Sequence, residues 1–460
     1  MKETRKKYDM LTDNPGKSLL FFVLPMILGN LFQQLYSFVD SVVVGRGIGA
    51  QALAAVGATS IVVWLTLGFA MGLTRGFCIH ISQAYGKKDY HLVNRGFFVA
   101  SVLSLIVGAM ISIVGSLAIR DFLILMHTPG EILEQSLDYI KVILLGFVIT
   151  VLNNLFMSVL QSLGDSSTPF WALLVSSVTN IGLDCVFVLT LKWGVQGAAA
   201  ATVLSQVFSF AICAAGLKKL KFVSILDGSK SKNARLTVRM LKTGLPVGIM
   251  SMVTAVGGMI LQFFVNDLGA SAVAAYAAST KIRSVIGEFS NALGMTFMTF
   301  VGQNYGAQKY DRIKAGVRMG VLLSILIHIP LSAVEIFGGK RIASLMVTDP
   351  PVLELCRQYL LIVGIFVFFL GFLMVFRNCI QGMGNTWIPM LSGGLEVFSR
   401  LIFGYWLGRH SFMGIAAAEA SAWISVSIML GSSFFILFRK VLRTQTPENT
   451  TDTKNIRTDS

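Results

Sequence analysis

Residues 17–49 read KSLLFFVLPMILGNLFQQLYSFVDSVVVGRGIG, an apolar run that carries one carboxylate, Asp40, near its end. The run is longer than the roughly 20 residues that a helix needs to cross a bilayer. Gln33, Tyr36 and Asp40 are spaced i, i+3 and i+7, so a helix places them on one face. An ionisable side chain inside a span is costly and by default indicates an ion or substrate pathway. The alternative is a carboxylate at the helix end that reaches the lipid headgroups.

The composition is that of a polytopic all-α membrane protein. Of 460 residues, 54% are hydrophobic and only 13% are charged, and the mean hydropathy is +0.71. The first apolar run follows a basic N-terminus, but no small-residue cleavage site follows it, so we interpret it as a retained first span. The five cysteines are scattered without CxxC spacing, so they indicate neither a disulfide framework nor a metal cluster.

Twelve apolar segments divide the chain into two sets of six. We expect an N-terminal lobe at 1–217, a basic cytoplasmic linker at 218–242, a C-terminal lobe at 243–440 and a polar cytoplasmic tail at 441–460. The predicted spans are 18–44, 52–84, 95–118, 138–162, 169–190, 197–217, 244–265, 272–303, 315–337, 355–382, 388–408 and 414–438.

The two halves repeat each other at an offset of about 220 residues. QAYGKKDYHLV at 83–93 returns as QNYGAQKYDRI at 303–313, and QSLGDSSTP at 161–169 returns as QGMGNTWIP at 381–389. Because six spans is an even number, both halves enter the membrane in the same orientation. The lobes are then related by a pseudo-two-fold axis along the membrane normal, an arrangement of transporters that bind substrate between repeats.

Positive charge predicts the orientation of the chain. Of the 38 Lys and Arg residues, 25 lie in the termini and the loops of one side and 8 lie on the opposite side. Cytoplasmic loops carry the excess of Lys and Arg, so both termini should be cytoplasmic. The positive charge is therefore a mark of topology and predicts no nucleic-acid partner. We expect the chain to be a multi-pass protein of the plasma (cell inner) membrane, in contact with its lipids.

Three spans of the first half bring oxygen ligands to one depth. With a rise of about 1.5 Å per residue, Asp40, Asp184 and Thr202 all lie toward the outer ends of their helices. Asn180 precedes Asp184 by four residues and shares its face. Two carboxylates, an amide and a hydroxyl are ligands that a small hard cation prefers. The two carboxylates could equally share a proton. The only arginine in the spans of this half, Arg75, is placed too far toward the cytoplasm to neutralise them.

The second half differs at the equivalent positions. Leu261 and Gly404 replace the two aspartates, Arg400 aligns with Asn180, and Glu419 aligns with Thr202. Glu396 and Arg400 are four residues apart, which predicts a salt bridge within one helix, and the alternative is a charge network that faces substrate. Three charged residues of the eighth span could join that network or face an aqueous cleft: Lys281, Arg283 and Glu288.

Motifs of enzymes and of nucleotide-driven pumps are absent from the sequence. There is no HExxH, GxxxxGK[ST] or GxSxG, and the five histidines are dispersed. We therefore predict that the protein is not an enzyme and has no cofactor, and that an ion gradient supplies its energy. The duplicated lobes argue against a simple channel.

The doubled QxYGxxxY motifs, FVDSVVVGRGIGAQALAAVG around Asp40, VGQNYGAQ and QGMGNTWIP together resemble the multidrug and toxic compound extrusion (MATE) family over residues 15–440. The resemblance implies a monomeric, cation-coupled antiporter with a V-shaped cavity between two six-helix lobes. It would export amphipathic, often cationic, small organic compounds in exchange for Na⁺ or H⁺. The alternative is a flippase of lipid-linked oligosaccharides or polysaccharides from the related superfamily, although such proteins typically have about fourteen helices.

The resemblance also assigns residues. In prokaryotic members with a cation site in the first lobe, the ligands match Asp40, Asn180, Asp184 and Thr202, and a nearby tyrosine matches Tyr36. Pro25 matches the proline at which the first helix of that family bends. Arg75 departs from the family, because many members carry an uncharged residue there.

Overall fold

The computed structural model describes residues 8–229 and 233–443, and this part of the chain contains helices and no β-strand. A single turn of helix, Ile225–Ser229, lies between the sixth and seventh long helices. The twelve long helices are α1 (Pro15–Gly47), α2 (Ala50–Gly86), α3 (Tyr90–Leu125), α4 (Gly130–Leu145 and Phe147–Ser162), α5 (Ser167–Asp184, continued by the π-helical Cys185–Thr190), α6 (Gly194–Lys219), α7 (Ala234–Asp267), α8 (Ala270–Gly306), α9 (Tyr310–Ala333, continued by the π-helical Val334–Gly338 and by Gly339–Ala343), α10 (Pro350–Gly382), α11 (Trp387–Phe403, continued by the π-helical Gly404–Gly408) and α12 (Phe412–Arg443).

The predicted all-α architecture of twelve helices is confirmed. Nine of the described helices are long and apolar enough to cross a membrane, and the two parts of α4, bent by 48°, form a tenth span. The other two, α8 and α11, are more polar or shorter, and both carry charged side chains toward the protein interior, among them Glu288, Glu396 and Arg400. These charged side chains lower the hydropathy of α8 and α11, which explains why the two helices have the weakest hydropathy signal for a membrane span.

The predicted linker, 218–242, is shorter in the structure. The sixth helix continues to Lys219 and the seventh begins at Ala234, because the basic residues at both ends of this segment extend the helices. Most of the predicted polar tail, 441–460, lies outside the described residues.

Large apolar side chains cover the outside of the molecule. Leu117, Phe337 and Trp406 are 78%, 84% and 72% exposed. A surface of this kind would be a liability in water, but it matches the hydrocarbon of a bilayer.

The helices α1–α6 and α7–α12 form two lobes that meet mainly through α2 and α7. Small residues permit this contact. A methyl group on Gly72 would lie 2.6 Å from the carbonyl oxygen of Val247, and one on Gly76 would lie 2.6 Å from the Cα atom of Gly244. Close approach of helix backbones at glycines is typical of helix packing in membranes.

The repeated QxYG motif lies at the ends of α2 and α8, where the two helices cross. A methyl group on Gly86 would overlap the carbonyl group of Gln303, and one on Gly306 would overlap that of Gln83. The Gln83 Nε2 atom donates to Gly382 O at 2.9 Å, and the Gln303 Nε2 atom donates to Ser162 O at 2.9 Å. The motif therefore ties each lobe to the other at one end of the molecule, and it forms the last turns of α2 and α8.

Candidate functional site

Asp40 on α1 and Asp184 at the end of the α-helical part of α5 lie next to each other in the first lobe. Their carboxyl groups are close enough to interact directly, and Asp184 is completely buried. Within the described residues, neither oxygen of Asp184 nor the Oδ1 atom of Asp40 has a hydrogen-bond partner. Buried carboxylates are otherwise paired or neutralised, so this pair has unused capacity for a proton or a cation.

Asn180 lies one turn before Asp184 on α5, and Thr202 lies on α6, which packs against α5. Asn180 is completely buried, and neither atom of its amide group has a partner in the described part of the chain. The Thr202 hydroxyl donates to Ala198 O at 3.1 Å, which leaves its lone pairs free to accept. The Ser176 hydroxyl donates to Ser205 O at 3.0 Å and so sets the register of α5 against α6.

A change of helix type directly follows Asp184. The α-helix ends there, and the next six residues, Cys185–Thr190, are π-helical. Such π-bulges are rare and occur frequently at functional sites. The second lobe has a π-helical segment at the equivalent place, Gly404–Gly408, so the bulge belongs to the repeated unit.

Two tyrosines adjoin the carboxylates. Tyr36, which the sequence predicts, hydrogen-bonds with Gln33 and interacts with both aspartates. Tyr139 on α4 interacts with Asp40, Asp184 and Tyr36, and sequence analysis missed it. The sequence feature that could have identified Tyr139 is its position near the start of the predicted fourth span, at the depth of Asp40.

The site is rich in oxygen and lacks basic neighbours. No Lys or Arg of the described residues pairs with Asp40 or Asp184. The same part of the chain has no cluster of three or more His, Cys, Asp or Glu residues that would hold a metal ion. Two carboxyls with an amide and a hydroxyl are suited to a transient small cation or a proton rather than to a resident metal.

A polar cavity of about 130 Å³ begins beside this site. Tyr36 and Gln33 line it, so the helix face that carries Asp40 continues into the cavity wall. Of the twenty described residues that line it, seven are Asn or Gln, six carry a hydroxyl group and one, Arg75, is charged. The candidate ion site at Asp40 and the cavity therefore share one face of α1.

The second lobe buries a network of paired charges. Glu396 accepts from Arg377 at 3.0 Å and from Arg400 at 3.0 Å, and these three side chains are 4–6% exposed. Glu419 accepts from Arg283 at 3.0 Å, lies 3.6 Å from Arg400, and also accepts a hydrogen bond from the Tyr359 hydroxyl. The predicted Glu396–Arg400 salt bridge is present, as part of a larger network.

Glu288 lies apart from Glu396, Arg400 and Glu419, and the sequence left open whether it joins them or faces a cleft. Its carboxylate accepts from Asn30 at 2.9 Å and from Gln34 at 3.3 Å, and so links the lobes. Lys281 is exposed. Glu288 and Arg283 have different partners because they point in different directions from α8. Glu288 faces α1, whereas Arg283, five residues earlier, faces the interior of the second lobe.

Sequence analysis also missed Glu335. This residue is 1% exposed in the π-helical part of α9, and neither carboxylate oxygen has a partner in the described residues. The rule that singled out Asp40, an acid inside an apolar span, would have found it too.

A protein-family model described as MatE matches residues 25–186 and 246–406, one match in each lobe. Two relatives from Bacillus subtilis strain 168 are named as probable multidrug resistance proteins. YoeA is 28% identical over 422 residues, which cover 87% of this chain and 91% of YoeA. YpnP is 28% identical over 438 residues, which cover 93% of this chain and 94% of YpnP.

A solved structure described as the outward-facing conformation of a multidrug resistance MATE family transporter has the same fold. Its TM-score is 0.88 at 23% sequence identity, and the match covers 96% of this chain and 100% of that one. The fold, the duplicated lobes and the family match over most of both halves agree with the resemblance of the sequence. This chain therefore belongs to the MatE family of membrane transporters, the multidrug and toxic compound extrusion family.

Proposed function

We propose that the protein is a secondary-active exporter that moves amphipathic, including cationic, organic compounds out of the cell in exchange for inward Na⁺ or H⁺. The observation that carries the proposal is the Asp40–Asp184 pair in membrane-spanning helices. Asp184 is buried and Asp40 is half-buried, neither has a basic partner among the described residues, and a polar cavity lies beside them. The two Bacillus relatives are named for multidrug resistance, which supports the same class of cargo. The exporter needs no enzymatic activity and no cofactor, and it acts as a monomer.

The flippase alternative is not favoured. Flippases of lipid-linked sugars have a strongly cationic central cavity, whereas one arginine is the only charged residue among the described residues that line this cavity. The names of the relatives point to multidrug resistance instead.

The proposed transport cycle follows from the position of the proposed ion site. A Na⁺ ion or proton enters from outside, neutralises Asp40 and Asp184, and stabilises one arrangement of α1 against α5. A ligand drives such a change only through its differential affinity for the two states, and unpaired carboxylates provide that difference. Because Gln33 and Tyr36 belong to both the ion site and the cavity wall, movement of α1 changes the substrate site.

Proteoliposomes with imposed Na⁺ and H⁺ gradients, applied separately, test the proposal. A fluorescent amphipathic cation should move against the coupling-ion gradient only when that gradient is present. Transport of the dye without any gradient, at the same rate, would contradict antiport.

The proposed orientation places both termini in the cytoplasm. Position 130 is the first residue of α4, next to the turn that follows α3, and position 229 ends the short helix between α6 and α7, so the two belong to opposite ends of the bundle. In a variant without native cysteines, since Cys185 is exposed, Gly130→Cys should react with an impermeant thiol reagent in intact cells. Ser229→Cys should react only after the cells are opened. The reverse labelling would invert the topology and the direction of ion entry.

Pro25 is proposed to let α1 bend during transport. In the structure α1 continues through Pro25 as one helix, but proline cannot donate to the carbonyl one turn earlier, which weakens the helix there. Pro25→Ala should insert normally and slow the initial rate of export several-fold. Pro246→Ala on α7 is the matched control, because no carboxylate of an ion site lies on that helix, and it should slow export less. Equal losses in the two variants would contradict the assignment.

A further inference from the structure

The charge of the residues that line the cavity indicates which compounds the cavity binds. The cavity lies between helices of the first lobe and α8 of the second, and Arg75 is the only charged residue among the described residues that line it. One acid, Glu288, lies directly behind the wall, where it accepts hydrogen bonds from two of the lining residues, Asn30 and Asn291, but it does not itself line the cavity. Arg75 is therefore the one formal charge that the described lining residues present to a bound compound.

Arg75 is half-buried and largely unpaired. Its Nη1 atom donates to Asn291 Oδ1 at 3.4 Å, and this is its one hydrogen bond to the described residues. Asn291 also donates to Glu288 at 3.4 Å, and Glu288 is in turn held by Asn30 and Gln34. The acid closest to Arg75 is thus on the far side of an asparagine and is occupied by other donors.

A guanidinium group carries five N–H donors in a planar fork that matches a carboxylate or a phosphate. A cation inside a membrane protein is costly unless it is paired, and such residues mark substrate pathways. In the same cavity wall, amide and hydroxyl side chains such as Asn153, Asn154 and Ser158 can donate further hydrogen bonds to an anion or accept them from its polar body. Four methionines supply apolar, adaptable contact.

We propose that Arg75 binds the acid group of the exported compound, so that the preferred substrates are organic anions and zwitterions that carry a carboxylate or a phosphate monoester. This rests on the proposed export function and narrows its substrate class. A volume of about 130 Å³ is below the 300–1,000 Å³ typical of sites for whole drug-sized ligands. The cavity therefore holds the acid group, and the remainder of the substrate extends toward the second lobe, where Asn291 and Met295 complete the wall.

Matched pairs of probes test the proposal by equilibrium binding to purified protein, without any gradient. Rhodamine B carries a carboxylate and its methyl ester does not; flavin mononucleotide carries a phosphate monoester and riboflavin does not. The acid of at least one pair should bind about 10- to 100-fold more tightly than the partner that lacks the acid group, the range of one charge-assisted hydrogen-bonded contact. The pair that shows the preference identifies carboxylate or phosphate. Equal binding of both members of both pairs, or no binding of either acid, would overturn the proposal.

Variants then assign the preference to Arg75. Arg75→Gln should weaken binding of the acid about 10-fold or more, and it should not weaken binding of the partner that lacks the acid group. Arg75→Lys should have an intermediate effect, because a lysine keeps the charge but not the planar fork of donors. Arg120→Gln, the same change at a side chain that is 58% exposed, is the control and should change neither affinity. Melting temperatures verify that each variant is folded. If Arg75→Gln weakens acid and ester equally, Arg75 is structural and the proposal fails.

Gradient-driven export separates this inference from the proposed function. If the ester is exported with ion coupling and the acid does not bind more tightly than the ester, the proposed export function is supported and the proposed preference for anions is contradicted. If the acid binds through Arg75 but no ion gradient drives its transport, the proposed acid-binding site is supported and the proposed antiport is contradicted.

Discussion

Asp40→Asn is expected to abolish ion-driven export while substrate still binds. The change keeps the size of the side chain and removes the charge, so it resembles the neutralised state of the site at all times. Asp184 then faces an amide instead of a carboxylate, and the site loses one ionic ligand. The loss of one charge-assisted contact of about 1.5 to 3 kcal/mol corresponds to a 10- to 100-fold weaker affinity for a cation.

Three measurements on the same purified protein define this outcome: equilibrium substrate binding, melting temperature and gradient-driven transport. Binding and melting temperature should stay near those of the unmodified protein, because Asp40 has no ion pair in the described structure whose loss would destabilise the fold. Asp121→Asn, an equal change at an exposed position on α3, is the matched control and should transport normally. Normal ion dependence of transport in Asp40→Asn would show that Asp40 is structural and that the coupling site lies elsewhere.

Glu396→Gln is expected to have a different effect, namely loss of stability before any specific loss of coupling. Glu396 is the shared partner of Arg377 and Arg400, each at 3.0 Å, and all three side chains are at most 6% exposed. Removal of one partner from a buried ion pair typically costs about 3 to 5 kcal/mol, because the remaining charge is left without compensation. For a chain of this length that corresponds to a melting temperature lower by about 3 to 5 °C.

Two further variants make this prediction specific. Glu354→Gln removes an exposed glutamate that pairs with Lys340 and Arg357, and it should leave the melting temperature almost unchanged, because exposed ion pairs contribute little to stability. Addition of Arg377→Met to Glu396→Gln removes one of the stranded cations, so it should recover part of the lost melting temperature. A melting temperature unchanged by Glu396→Gln would mean that Glu396 is protonated or solvated, and its place in a substrate-facing network would then be favoured.

These expectations rest on an asymmetry between two halves of similar sequence. In the first lobe the acids lack basic partners, and in the second lobe Glu396 and Glu419 each have arginine partners. The same duplicated scaffold therefore holds two carboxyl groups without basic partners in one lobe and two carboxylates paired with arginines in the other.

The sequence by itself determined the twelve helices, the duplication and the common depth of Asp40 and Asp184. These features depend on hydropathy, on the helical rise and on residue spacing, all of which are local properties of the chain. The Glu396–Arg400 pair was predictable for the same reason, since residues four apart on a helix are neighbours.

Only the tertiary structure decided which distant residues meet. Tyr139 beside the two aspartates, Arg377 on Glu396, Glu288 on α1 and Arg75 in the cavity wall all depend on how each helix is rotated about its axis and packed against others. Apolar helices facing lipid on one side and protein on the other have weak periodicity, so the sequence pattern leaves that rotation undetermined. Packing of the lobes determines it, through close glycine contacts and through hydrogen bonds between residues more than 200 positions apart.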